Sequence, residues 1–290
     1  MIRPSRLPRL RDRMVALLGD PDSVLRRSAG IDTDYGHDLD IASRHLATGE
    51  LYWVAGDMAA LATAAGRALD TVRWSTADRP SGTGLMVMDG GVGWLRTSDG
   101  ELPVDAISWG PAPAGLLLTL WVDRQRLDDN LADRGARVDP EQVPALVPMR
   151  GHTLPVAAEA MPVGELDDEV RTLAVTLWSA WQLMYQPTLA ERSRAEIDRG
   201  VRRAYARADR PEPEVTIVDL RSLYRPADPD HQARVEPGRY SHRWVVTGHW
   251  RDQPHGPGRS LRKRIWIPDY IKGPDGAPLL TRERVNVWRR

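Results

Sequence analysis

The chain has 290 residues, with 40 lysine or arginine residues balanced by 40 aspartate or glutamate residues, and it has no cysteine. This length is enough for one large domain or two smaller ones with a sizeable buried core, and the zero net charge excludes a polycation as a whole. The lack of cysteine excludes a disulfide framework and thiolate metal sites. The lack of cysteine also fits a cytoplasmic protein. Since no apolar run approaches the roughly 20 residues of a membrane span, we expect no membrane partner.

The chain is expected to begin with helices. Apolar residues at helical spacing predict an amphipathic helix over residues 4–18. Further helices are expected over residues 39–47 and from Asp57, as a capping residue, to about Leu69.

A change of period follows. Short apolar or alternating runs separated by Gly-rich turns predict a meander of antiparallel strands between Thr71 and Val122. The runs cover residues 72–74, 84–88, 92–96, 104–109 and 116–122. Residues 124–151 are polar and weakly periodic, which predicts a loop with a short helix.

The strongest predicted helix is a long apolar one over residues 165–185. Four acidic residues fill its expected first turn, where the helix dipole favours anions. A wide apolar stripe follows, formed by Val170, Leu173, Ala174, Leu177, Trp178, Trp181 and Met184. We interpret the two tryptophans as core residues rather than a ligand site. A charged helix over residues 189–210 and a strand over residues 214–220 are expected next.

A β-hairpin is predicted between Tyr240 and Gly273. The first strand, residues 240–251, alternates, so that Tyr240, His242, Trp244, Val246 and Trp250 share one face. Residues 254–258 form the turn, residues 261–267 form the second strand, and Pro268 ends it because it cannot donate to the ladder. The outer face of this hairpin is expected to carry Arg243, His249, Arg251, Arg262 and Arg264.

The charge is concentrated around this hairpin. Residues 234–290 hold 13 lysine or arginine residues against 5 aspartate or glutamate residues, a local balance of +8. Basic residues interleaved with tryptophan are typical of surfaces that bind RNA or single strands. An acidic protein partner, or tryptophans that pack inward beneath solvated arginines, would give the same pattern. The candidate binding residues are Arg243, His249, Trp250, Arg251, Arg259, Arg262, Lys263, Arg264 and Trp266.

The histidines of the hairpin suggest one catalytic alternative. His242 or His249 with Arg251 could cleave RNA by general acid–base chemistry without a metal. In a flat strand His242 and His249 face opposite sides, so a paired site would need a bulge near Gly248. No carboxylate lies at a spacing that would complete a histidine metal site. We therefore expect no metal and no cofactor.

The same residues resemble a known family. Gly248-His249-Trp250, the Gly256-Pro257-Gly258 turn, Arg262-Lys263-Arg264 and Trp266-Ile267-Pro268 are similar to the C-terminal signature of a type V-A anti-CRISPR family and its relatives in phages and mobile elements. The segment LWSAWQLMYQP, residues 177–187, resembles the apolar helix before that signature. The resemblance covers roughly the last 130 residues and is weak before them.

This resemblance implies an accessory protein of mobile elements. The characterised activity of the family is recognition of the nascent N-terminal peptide of a CRISPR effector nuclease, followed by loss of the effector's messenger RNA. The implied partner is a protein or nascent peptide, with RNA or the ribosome as further partners.

The sequence as a whole predicts an α+β fold. We expect an N-terminal α+β region over residues 1–160, a helical region with a short strand over residues 161–230, and a basic β-hairpin region over residues 231–290. The expected function is that of an anti-CRISPR-like interaction protein that binds a peptide or ribonucleoprotein target and lowers production of an effector. The alternative is a metal-independent ribonuclease or RNA-binding protein.

Overall fold

The computed structural model describes residues 2–30, 33–97, 100–132, 139, 142–156, 159–221, 243–272 and 279–280. The contacts divide the chain into two units, Met1–Arg221 and Ser222–Arg290. Among the described residues, the first unit contains both helices and strands, with helices in succession over residues 7–48 and strands in succession over residues 84–123. The described part of the second unit is formed mainly by strands, so the α+β prediction is confirmed. No helix of the described ranges is both long enough and apolar enough to span a membrane.

The described residues form helices and strands in the following order. The helices are α1 (Leu7–Gly19), α2 (Val24–Ala29), α3 (Asp34–Thr48), α4 (Gly56–Arg67), α5 (Arg124–Ala132), α6 (Arg171–Leu183) and α7 (Arg199–Arg207). The strands of the first unit are β1 (Glu50–Val54), β2 (Thr71–Val72), β3 (Gly84–Met88), β4 (Gly93–Thr97), β5 (Gly100–Val104), β6 (Ala106–Ala112), β7 (Gly115–Asp123), β8 (Leu146–Leu154), β9 (Met161–Pro162), β10 (Ala190–Arg194) and β11 (Val215–Leu220). Those of the second unit are β12 (Arg243–Val246), β13 (His249–His255), β14 (Leu261–Ile267), β15 (Tyr270–Lys272) and β16 (Leu279–Leu280).

A seven-stranded sheet in the order β10-β11-β1-β3-β6-β7-β8 is the centre of the first unit. Strands β3, β6 and β7 pair antiparallel in this order, which confirms the predicted meander over that part of residues 71–122, and β8, beyond the predicted range, pairs antiparallel with β7. The sequence reasoning missed β1, which lies between β11 and β3 and runs parallel to both. Strands β4 and β5 form a hairpin of their own rather than joining the sheet.

Helices cover both faces of this sheet. On one face, α1, α3 and α7 contribute Leu7, Leu39 and Val201 to a cluster that also holds Leu51 and Val215 from the strands. Since side chains alternate along a strand, Tyr52 faces the opposite way to Leu51. The Tyr52 ring stacks on Trp109 at 5.7 Å on the α6 side. The result is a layer of helices on each side of the sheet.

Helix α6 is shorter than the helix predicted over residues 165–185. It begins at Arg171, and the acidic residues precede it, with Asp167 accepting the Glu169 main-chain N–H at 2.9 Å. The prediction that the apolar stripe is buried is confirmed, since Trp178 is 3% and Trp181 0% exposed. The Ala-rich helix α4 packs closely against α6. A Cβ at Gly66 of α4 would lie only 3.0 Å from the Val175 carbonyl of α6, so the close approach depends on a glycine at this position.

Three other local predictions need correction. Residues 189–210 are not one helix, because residues 190–194 form β10 and only residues 199–207 form α7. Asp57 lies in the first turn of α4 and does not cap it, since the capping position is Ala55. The stretch over residues 124–151 contains α5, as expected, but its end belongs to strand β8, which pairs with β7.

Candidate functional site

The predicted hairpin is present as β13 and β14 in the second unit. The two strands pair antiparallel, with Trp250 opposite Trp266, and β14 ends at Ile267 before Pro268, as predicted. The turn is shorter than expected, because β13 continues through Pro254 to His255. Left-handed backbone at Gly256, with a φ of 76°, starts the turn.

The first predicted strand is interrupted. The strand predicted over residues 240–251 does not continue through Thr247 and Gly248, where β12 has ended and β13 has not yet begun. Strand β12 pairs with β15 and β16 rather than with β14. The Gly248 N–H donates to the Asp269 carboxylate at 2.6 Å, and a Cβ at this position would lie 2.5 Å from the Trp266 ring. A glycine is needed here because the indole covers its Cα.

The prediction of one basic outer face is wrong. Residues directly opposite each other in an antiparallel pair point to the same face. Arg251 is opposite Ile265, and Asp252 is opposite Arg264. His249 and Arg251 therefore share a face with Lys263, while Arg262 and Arg264 lie on the other face.

The face with Arg262 and Arg264 also holds the two tryptophans of the hairpin. Trp250 and Trp266 meet edge to face with centroids 5.4 Å apart, and Trp266 is only 5% exposed. Arg264 pairs with Asp252 at 3.3 Å, and Arg262 donates to the Arg259 carbonyl at 2.7 Å. We call this face the Trp face of the hairpin. Several of its side chains already contact other residues of the hairpin.

The opposite face, the His face of the hairpin, is more open. His249, Arg251 and Lys263 are all exposed, and Arg251 donates to the Gln253 side-chain oxygen at 2.5 Å. The Nδ1 atom of His249 lies 3.1 Å from the Thr247 carbonyl, so a neutral ring that donates through Nδ1 leaves Nε2 as an acceptor. At about 3.3 Å per residue, Arg251 is about 7 Å along the strand from His249, and His255 about 20 Å. His249 and His255 are therefore too far apart to act on one phosphodiester.

The remaining candidates take other positions. Arg243 is the first residue of β12, and Arg259 lies in the hairpin turn with a left-handed φ of 58°. His242 lies outside the described residues, so the paired use of His242 and His249 stays a hypothesis. The structure thus brings together His249, Arg251 and Lys263, and separates them from the other basic residues.

Sequence reasoning missed a second surface, a groove of about 740 Å³ beside strand β10 in the first unit. Its lining includes Tyr185, Arg192, Arg194 and Arg221. The Arg192 guanidinium lies over the Tyr185 ring at 4.7 Å. The high helix propensity of alanine, glutamate and arginine favoured a helix here. The available signal was the alternation of Glu191 and Ser193 with the two arginines. We call the groove lined by Tyr185, Arg192, Arg194 and Arg221 the β10 groove.

A third concave region lies beyond the carboxyl ends of β1 and β3. It has a volume of about 270 Å³ and is lined by Trp53, Asp89, Asp105 and Arg126, among others. Asp105 is buried, accepts the Asp123 N–H at 2.7 Å and pairs with Arg126. Within the described ranges, no group of three or more histidine or acidic side chains is placed to hold a metal ion. The buried carboxylate here is engaged in holding β6, β7 and α5 together.

Comparisons with known proteins indicate which family this chain resembles. Residues 183–273 match the model of the AcrVA2-like family, described as the anti-CRISPR type V subtype A2 family. A crystal structure of AcrVA2 is similar over 94% of this chain and 87% of the other, at 11% sequence identity and a TM-score of 0.39. No curated protein matches the chain. The matched residues include β10, β11, β13 and β14. Over residues 183–273 the chain is therefore similar to the anti-CRISPR type V subtype A2 family, and the type V-A anti-CRISPR resemblance is confirmed.

Proposed function

We propose that this protein is an anti-CRISPR-like interaction protein of a mobile element, such as a phage. It binds a peptide or ribonucleoprotein target and thereby lowers production of a type V-A effector nuclease in the cytoplasm. The observation that carries the proposal is the family match over residues 183–273. That stretch contains both the β10 groove and the β13–β14 hairpin.

The surfaces in this stretch support binding. On the His face, the cationic side chains of Arg251 and Lys263 are exposed close to an imidazole. Guanidinium and ammonium groups can recognise the carboxylates of a protein or the phosphates of an RNA. A nascent chain on a ribosome presents both chemistries, which fits a target that is peptide and ribonucleoprotein at once.

The alternative function, metal-independent ribonuclease activity, is favoured by one observation. His249 and Arg251 share a face, and the Nδ1 contact of His249 with the Thr247 carbonyl fixes the ring. Nε2 could then take a proton from a ribose 2′-hydroxyl while Arg251 contacts the phosphate. A second residue would have to protonate the leaving oxygen, and His255 is too distant for that role.

The test of the proposed function uses cells with a type V-A effector. Co-expression of the wild-type protein should restore plaque formation by a targeted phage and lower both effector protein and effector messenger RNA. Affinity capture from these cells, with protein and RNA both identified, should recover the effector's nascent chain. Unchanged effector levels together with unimpaired immunity would contradict the proposal.

The alternative needs the purified protein alone. Incubation with RNA in the presence of a chelator separates binding from cleavage, because metal-independent cleavage would persist. Cleavage by the wild type that disappears in His249→Gln would favour the ribonuclease. We expect no cleavage, with the loss of messenger RNA depending on cellular factors.

A further inference from the structure

Among the described residues, β10 is an edge strand of the seven-stranded sheet. Strand β11 is its only neighbour in the sheet formed by the described residues. Glu191, Arg192, Ser193 and Arg194 are all exposed. An exposed edge strand presents unpaired main-chain groups to which another extended segment can bind.

The hydrogen bonds to β11 show which main-chain groups point outward. The Leu189 carbonyl accepts the Arg221 N–H at 2.7 Å, and the Ala195 N–H donates to the Val215 carbonyl at 2.9 Å. In an antiparallel ladder, bonded residues alternate with residues whose N–H and C=O point away. The register runs without a shift between these bonds. The main-chain groups of Arg192 and Arg194 therefore point away from β11.

The side chains beside this edge are basic. The β10 groove is lined by Arg192, Arg194 and Arg221, with Glu191 as its acidic side chain. Arg194 is paired with Glu214 at 2.8 Å, but both side chains are mostly exposed. Arg194 can therefore exchange Glu214 for a carboxylate of a bound segment at little cost in free energy. The aromatic ring of Tyr185, 40% exposed, forms an apolar floor beneath Arg192.

We infer that β10 binds an extended, acidic segment of a partner protein as an added strand. The N–H and C=O groups of Arg192 and Arg194 would pair with the segment's main chain. Its carboxylates would face the arginines of the β10 groove. This inference rests on the proposed function, because it gives an interaction protein the chemistry of its partner.

A second copy of the chain is a poor occupant of this edge. Pairing of β10 with another β10 would place Arg192 and Arg194 on the same face as the arginines of the other copy. Like charges across neighbouring strands are destabilising. Charged edge strands commonly prevent such self-association, and the same charges admit an acidic segment.

The first experiment measures amide hydrogen exchange on the full chain. The probe is a peptide in which Val and Glu alternate over about six positions, a usual strand length. Exchange at Arg192 and Arg194 should slow, whereas exchange at Ser193, already bonded to β11, should change little. Unchanged exchange at Arg192 and Arg194, or the same protection from a Val/Lys peptide or a uridine oligonucleotide, would overturn the inference. A shift of the free chain to dimers would also overturn it.

The second experiment separates charge from main-chain pairing. Arg192→Ala removes a charge and keeps the outward N–H, so it should weaken binding of the Val/Glu peptide about threefold. Arg192→Pro also removes the N–H, which β11 does not use, and should weaken binding by about a further tenfold. N-methylation of the peptide at alternate residues tests the same bonds with an unaltered protein. Equal binding by the methylated and unmethylated peptides would refute strand addition.

The two proposals can fail separately. If the wild type captures the effector's nascent chain and Arg192→Pro captures it equally well, the edge inference fails and the proposed function stands. If the Val/Glu peptide protects Arg192 and Arg194 but effector levels are unaffected in cells, the inference stands and the proposed function fails.

Discussion

Trp109 of β6 and Trp181 of α6 meet edge to face with ring centroids 5.0 Å apart. Both side chains are fully buried. Trp74 meets Trp181 from another side at 6.0 Å. These contacts tie α6 to the sheet, so the indole of Trp181 is central to the interior between them.

The first prediction concerns this indole. Trp181→Ala should lower the free energy of unfolding by about 3–5 kcal/mol, because it removes buried apolar surface and leaves a cavity. Urea denaturation would measure the change. Trp94→Ala, at a position 54% exposed, is the matched control and should cost much less. A cost below about 1 kcal/mol for Trp181→Ala would show that neighbouring side chains fill the space left by the indole, and would contradict its central role in the packing.

The second prediction concerns the link between α1 and α7. Arg11, 8% exposed, donates to the Tyr205 hydroxyl at 2.6 Å. Tyr205→Phe keeps the ring beneath Arg210 but removes this short hydrogen bond, so that Arg11 Nη2 keeps its longer bond to the Asp12 carboxylate at 3.2 Å. Because a buried charged donor loses one of its acceptors, the change should destabilise the protein by about 1–3 kcal/mol. Thermal and urea unfolding give the value. Tyr185→Phe, at an exposed ring, should have little effect, and equal effects of the two changes would contradict the prediction.

The third prediction concerns acid sensitivity. Burial lowers the pKa of His45, with a further lowering from Arg44, while the hydrogen bond to the Pro111 carbonyl opposes the shift. Burial also lowers the pKa of His152, with Arg150 acting in the same direction. The unfolded chain binds a proton at these two histidines more readily than the folded protein does. Their contribution to the free energy of unfolding should therefore be fully present above about pH 6.5, the histidine pKa in the unfolded chain, and should be lost progressively as the pH falls below that value.

The measurement is the free energy of unfolding from about pH 7.5 to about pH 5. His45→Gln keeps a nitrogen that can donate to the Pro111 carbonyl, 3.0 Å from Nε2 in the wild type, but cannot be protonated. This variant should flatten the decline, and the double variant with His152→Gln should flatten it further. A pH dependence identical to that of the wild type would show that other groups govern acid unfolding.

The fourth prediction separates the two faces of the hairpin. Any RNA binding by β13 and β14 should use the His face, since Arg251 and Lys263 are both exposed there, whereas Arg264 on the Trp face is half-buried and paired with Asp252. The double variant Arg251→Gln/Lys263→Gln should reduce the log–log salt slope for a uridine oligonucleotide by about 1.4, at about 0.7 per contact. Arg262→Gln/Arg264→Gln removes the same charge and should leave the slope nearly unchanged. A larger effect from this second variant would assign RNA to the Trp face.

The fifth prediction tests the contact that ends β12. Gly248→Ala should destabilise the second unit by about 1–3 kcal/mol, because the new methyl would overlap the Trp266 ring. Faster amide exchange along β13 and β14 would report the loss. Gly200→Ala adds a methyl where nothing lies within 4 Å and should be neutral or slightly stabilising. Unaltered exchange in Gly248→Ala would mean that the indole can move aside.

Some features could be predicted from the sequence because they depend on local pattern. The apolar stripe around Trp178 and Trp181 identifies a buried helix face, since helical periodicity directly records which side faces the core. The turn at Gly256 and the stop at Pro268 mark the hairpin, because glycine and proline act on the backbone where they stand. The family resemblance also rests on local residues, within residues 183–273.

Other features were decided only by the tertiary structure. Strand β1 is short and apolar, and its position between β11 and β3 depends on partners that are distant in sequence. Residues 190–194 have helix-favouring composition, yet pairing with β11 makes them an edge strand, because tertiary contacts outweigh a propensity of less than about 1 kcal/mol per residue. Likewise, only the register with β14 places Arg251 and Arg264 on opposite faces, because alternation within one strand gives no information about its partner.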